Sequence, residues 1–129
     1  MKKNDIFSRS WFTIYRLDSN AYLYYNHVRN RKKKKEEMIE FDYNLDYKNT
    51  LFTPNDKRYR IGRGEQGVLL VRPYTNDICQ YWRFKTPYDA AMSSMRILYL
   101  YHQYKDQEDF VGMDMCRKFL EMGFTRARR

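Results

Sequence analysis

Apolar and polar positions are ordered differently in successive parts of the chain. Val68, Leu69, Leu70 and Val71 form an unbroken apolar run, the pattern of a strand covered on both faces. Before it, "RYRIG" from Arg58 is a short strand candidate, and "RGEQ" is a turn. After it, "RPYTND" turns the chain, with Pro73 closing the strand. "ICQYWRF" then alternates, setting Ile78, Gln80, Trp82 and Phe84 on one face and Cys79, Tyr81 and Arg83 on the other.

From Thr86 the period changes to that of helices. Thr86 is a good N-cap, Pro87 suits the first helical position, and Asp89 puts a carboxylate in the first turn. Ala91, Met95, Leu98 and His102 form one stripe, with Ala90, Ile97 and Tyr101 beside it, and the helix is expected to end near Lys105. Asp109 is the expected cap of a second helix. Its apolar face is Phe110, Met113, Cys116, Phe119 and Leu120, and Gly123 is the expected stop. The short link predicts an antiparallel helix pair. The fold expected is α+β: a small antiparallel three-stranded meander packed against a C-terminal helical hairpin, with an N-terminal helical extension.

Residues 1–37 read as that extension and 38–129 as a single domain. Ile6, Phe7, Trp11, Phe12, Ile14, Tyr15 and Leu17 form an apolar piece, a strand or an irregular packing segment. "SNAYLYYNHVRNRKKKKEEMIEF" reads as a basic helix capped by Ser19, with Tyr22, Tyr25 and Val28 at helical spacing. Its cation run, Arg31 to Lys35, fits either a solvated helix end or a tract for nucleic acid or nuclear import.

Composition narrows the class of function. The 129 residues carry a net charge of +9, and 18% are aromatic. Such a balance favours an anionic partner such as nucleic acid, and constrains partners rather than fold. Cys79 and Cys116 are too few for a disulfide framework and fit buried free thiols. No metal-ligand spacing and no cofactor motif occurs. No signal peptide or membrane-length apolar segment is visible, so an intracellular location and no membrane partner are expected.

"FDYNLDYKNTLF", "YRIGRGEQGVLLVRPY", "WRFKTP" and "DFVGMDMCRKFLEMGFTRARR" together resemble an uncharacterised family catalogued as domain of unknown function 4385. The resemblance covers about residues 39–129. It implies a small α+β domain and no assigned activity, so no catalytic residue is carried over. Sequences of that kind start near "FDYNLDY" and continue past "TRARR". Residues 1–37 are therefore expected to be an added extension, or Met38 a second start.

Three regions carry candidate chemistry. In "IGRGEQG", Gly62, Gly64 and Gly67 have GxGxxG spacing. A strand is expected to follow where a dinucleotide site needs a helix, so a hairpin turn with its glycines at positive φ fits better. Arg58, Arg60 and Arg63 can still project together beside such a turn and meet phosphate. In "QYWRFKTP", Trp82 and Phe84 are expected in the core, leaving Tyr81 and Arg83 to stack on and hold an unpaired base. Arg117, Lys118, Arg126, Arg128 and Arg129 make the C-terminal end basic, and Asp114 with Arg117 reads as a helix-surface pair.

The expected function is thus non-enzymatic: a nucleic-acid (phosphate-backbone) binding module using Arg58, Arg60, Arg63, Tyr81, Arg83, Arg126 and Arg128. The alternative is a protein-interaction or structural module of viral type working through the aromatic N-terminal segment. A small phosphate-handling enzyme built on Glu65 comes last.

Overall fold

The computed structural model describes residues 2–9 and 40–127. The basic helix expected from Ser19, the cation run Arg31 to Lys35, and Arg128 and Arg129 lie outside the described residues. Among the described residues the fold is helical, with no strand and no sheet. Residues 3–9 are helical. A 3₁₀ turn follows at Tyr47–Asn49, then α1 (Tyr74–Cys79), α2 (Pro87–Asp106) and α3 (Phe110–Ala127). The expected α+β meander is therefore overturned, and the helical hairpin α2–α3 remains.

The three strand candidates fail for distinct reasons. Val68 donates to the Glu65 carbonyl and Leu70 to that of Gly67, so the apolar run is spent in successive turns. Val68 and Val71 are buried while Leu69 and Leu70 are exposed, a spacing of three rather than two. "ICQYWRF" does not alternate either: it starts inside α1, where Tyr74, Thr75 and Ile78 are buried at helical spacing. Pro73 caps the start of that helix instead of closing a strand. "RYRIG" has no strand partner. Among the described residues the only ladder-like pairing is one isolated parallel bridge between Leu51 and Arg72. A short apolar run cannot be told from a helical piece by periodicity alone.

What takes the place of the sheet is α3. Every residue from Asp109 to Leu120 is buried, so this helix is the hub on which the others pack. α2 and α1 both lie against it. The buried face of α2 is Ala90, Ser93, Ser94, Ile97 and Tyr101; Met95 and His102, expected in the stripe, are exposed. Trp82 and Phe84 pack against the core as expected, and the Trp82 indole donates to the Phe119 carbonyl at 3.0 Å.

The helix starts were legible. The Thr86 hydroxyl accepts from the Asp89 N–H at 3.1 Å. Asp109 caps α3, accepting from the Gly112 N–H at 3.0 Å, and its other oxygen accepts from the Tyr74 hydroxyl at 2.7 Å. Asn55, in the "TPND" turn, clamps the same helix start: it accepts from the Phe110 N–H at 2.9 Å and donates to the Glu108 carbonyl at 2.7 Å. The stop at Gly123 was not correct, because α3 runs on to Ala127. A Cβ on Gly123 would meet the Phe7 ring at 2.6 Å. Gly123 is a seat for an aromatic ring inside a helix. Phe7, fully buried there, fixes residues 3–9 to α3.

Candidate functional site

α3 carries a charged cluster within its apolar surroundings. Asp114, Arg117 and Lys118 are buried, as is Tyr59 opposite them. Helical spacing puts Arg117 and Lys118 three and four residues beyond Asp114, on its own face. The Arg117 Nε donates to Asp114 Oδ1 at 2.7 Å, and the Tyr59 hydroxyl donates to Asp114 Oδ2. Lys118 Nζ lies 3.8 Å from Oδ2. Arg117 also reaches Glu121 at 2.8 Å. The expected helix-surface pair is therefore an internal one.

The glycine loop closes over these cations. Arg117 donates to the Gly64 carbonyl at 2.9 Å, and Lys118 to the Gln66 carbonyl at 2.7 Å and the Arg60 carbonyl at 3.4 Å. Gly62, Gly64 and Gly67 all have positive φ, as expected, but the turn is not the expected hairpin, since turns rather than strands flank it. At Gly67 the requirement is double: φ is +80°, and a Cβ would stand 2.5 Å from the Phe41 ring. A phosphate-binding nest points backbone N–H groups at its guest. Here the loop points carbonyls inward, at protein cations. Its N–H groups at Arg63, Gln66, Val68 and Leu70 are taken by acceptors within the loop. The loop is a clasp for α3.

Burial decides the electrostatics. It pushes the Lys118 ammonium down to about 8, and Asp114 only partly offsets this. It pushes the Asp114 carboxyl up, but Arg117, Lys118 and the hydrogen bonds from Arg117 and Tyr59 together bring it below its usual value. A lysine poised near 8 has the basicity of a catalytic amine. This one is fully enclosed and donates to two carbonyls, so the arrangement fixes structure.

The expected binding residues divide into separate groups. Arg58 is half exposed and paired with Asp56 at 2.7 Å; the hydrogen bond from Arg58 holds the Asp56 carboxyl far below its usual value. Arg60 donates to the Lys57 carbonyl at 2.8 Å. Arg63 is exposed. Glu65, the one acid suggested for catalysis, accepts from the Thr125 hydroxyl at 3.0 Å. That contact brings the last turns of α3, with exposed Arg126, to the glycine loop. Tyr81 and Arg83 hang on α2 instead. The Arg83 N–H donates to Ser93, and the Arg96 guanidinium lies 4.6 Å from the Tyr81 ring centre. Arg83 itself is exposed and donates to the Trp82 carbonyl at 2.7 Å.

Sequence reasoning missed the internal role of Asp114, Arg117 and Lys118, and counted both cations in a basic C-terminal surface. The sequence carried no clear signal of it: the three share one helix face at i, i+3 and i+4, the ordinary pattern of a solvated polar face. Among the described residues no group of His, Cys, Asp and Glu is arranged to hold a metal ion, and no helix is long and apolar enough to cross a membrane. Cys79 and Cys116 are free thiols, the first half-buried and the second buried.

A family model described as Domain of unknown function (DUF4385) matches residues 42–129. The chain belongs to this family. The matched stretch contains the glycine clasp, the buried cluster and all three labelled helices, so the hub built around α3 lies wholly within the DUF4385 region. No curated protein and no solved structure matches the chain.

Proposed function

We propose that this DUF4385 protein is a non-enzymatic module that binds nucleic acid through its phosphates. The observation that carries the reading is the Thr125–Glu65 hydrogen bond. It joins the exposed Arg63 of the glycine loop to the turn bearing Arg126, and Arg128 and Arg129 follow in sequence. Exposed Arg63 and Arg126, carried on the two segments that this bond joins in a protein of net charge +9, suit a phosphate chain. The loop backbone is not part of the contact, because its carbonyls face Arg117 and Lys118. Arg58, Arg60, Tyr81 and Arg83 are secondary in this reading, since each already contacts a carboxylate, a carbonyl or Arg96.

The test is fluorescence anisotropy with short single- and double-stranded oligonucleotides over rising salt. Binding is expected at low salt and falls steeply between about 50 and about 200 mM, as counterion release requires. The combined Arg63→Ala, Arg126→Ala and Arg128→Ala variant should flatten the salt slope by about 3, since each phosphate contact contributes about one. Absence of binding at low salt, or affinity indifferent to salt, ends the proposal.

A further inference from the structure

α2 has two apolar faces, and among the described residues only one is packed against the core. Ala90, Ser93, Ser94, Ile97 and Tyr101 meet the core. On the opposite side Tyr88, Met92, Met95 and Tyr99 are 71%, 50%, 64% and 53% exposed. Their spacings of four, three and four residues are those of a coiled-coil seam, with Met92 and Tyr99 at a positions and Tyr88 and Met95 at d positions. The stripe runs about 17 Å along the helix at about 1.5 Å per residue. Large apolar side chains in one line on a surface mark an interaction site.

We infer that this face of α2 docks against the same face of a second copy of the chain, antiparallel, as a symmetric dimer. The argument is the charge and shape on either side of the seam. In an antiparallel pair centred between Met92 and Met95, Tyr88 faces Tyr99 of the second copy and Met92 faces its Met95. The flanking e positions then bring Asp89 beside Arg96 of the second copy, and symmetry makes that pair twice. On the other flank, g positions bring Ala91 beside Leu98 of the second copy, apolar against apolar. A parallel arrangement sets Ala91 against Arg96 and Leu98 against Gln103, and forms no charge pair. The face is thus complementary to itself in one orientation. Arg96 already lies over the Tyr81 and Tyr99 rings, 4.6 Å and 5.3 Å from their centres, which holds it at the seam edge. One short seam is a small interface, so the dimer should dissociate on dilution.

Sedimentation equilibrium of the full chain over a range of concentrations tests this. A monomer–dimer equilibrium is expected. Met95→Glu should abolish it with helical circular dichroism unchanged, because Met95 is exposed in the monomer. Asp89→Arg alone and Arg96→Asp alone should each weaken the dimer about tenfold, as two attractive exposed pairs become two repulsive ones. The double variant Asp89→Arg/Arg96→Asp should restore it, and so should mixing the two single variants. A monomer at the highest soluble concentration overturns the inference. So does a dimer indifferent to Met95→Glu, or one that the double swap does not rescue.

Discussion

Asp114→Asn removes one charge from the interior and keeps the side chain's shape. The wild-type carboxylate is 2% exposed and takes Arg117 at 2.7 Å, the Tyr59 hydroxyl, and Lys118 at 3.8 Å. Without it, Arg117 keeps Glu121 and the Gly64 carbonyl, while Lys118 keeps the Gln66 and Arg60 carbonyls and the Tyr59 ring, 4.8 Å from its ammonium, but no adjacent carboxylate. Breaking a buried ion pair from one side costs about 3–5 kcal/mol, and that loss is expected near pH 7. The cost must also depend on pH. Lys118 releases its proton near 8 in the folded wild type, and loss of the neighbouring carboxylate moves that release lower still. An unfolded lysine keeps its proton to about 10.4. Over the widened interval the unfolded variant binds more protons than the folded one, so its stability rises with pH. The deficit against wild type should therefore be greatest near pH 5.5 and smallest near pH 9. Urea denaturation at these values, read by tryptophan fluorescence, measures it. Exposed Asp106 is the control, with Asp106→Asn expected to change stability by less than about 0.5 kcal/mol. A cost under about 1 kcal/mol for Asp114→Asn, equal at all three pH values, would refute the reasoning.

Other variants probe single contacts. Gly123→Val puts a side chain where the Phe7 ring lies and should cost about 1–3 kcal/mol. Limited proteolysis should then cut near residues 3–9 faster than in wild type, and unchanged cutting would show that Phe7 does not sit there. Trp82→Phe removes the bond to the Phe119 carbonyl, with a loss of about 1 kcal/mol expected in denaturant melts; no loss would mean that the indole is solvated. Burial pushes the Cys116 thiol well above its ordinary value. A thiol-specific disulfide reagent should therefore modify Cys79 in the native protein and Cys116 only on unfolding. Equal native rates would contradict the packing of α3.

Local chemistry was legible where one residue decides it. Thr86 with Pro87, and Asp109 before Phe110, mark helix starts because a side chain either can or cannot accept the free N–H groups there. Positive φ at the glycines was legible for the same reason. The strands were not, because Val68 to Val71 is too short to distinguish alternation from turns, and tertiary packing decided between them. The end of α3 was misread because Gly123 has two possible roles, stopping a helix or making room for a ring, and only Phe7 distinguishes them. The candidate site suffered most from a reading confined to neighbours along the chain. Asp114 and Arg117 fit a surface pair at three-residue spacing. Their burial follows from the arrival of the glycine loop some fifty residues away in sequence, at Gly64 and Gln66.

The glycine loop turns its carbonyls onto the buried cations of α3, and titration of the lysine side chains by carbon- and nitrogen-detected NMR is the decisive measurement. One lysine should titrate with a midpoint of about 8, and its signal should vanish in Lys118→Met. If every lysine titrates near the ordinary value of about 10.4, Lys118 faces water and the clasp does not exist.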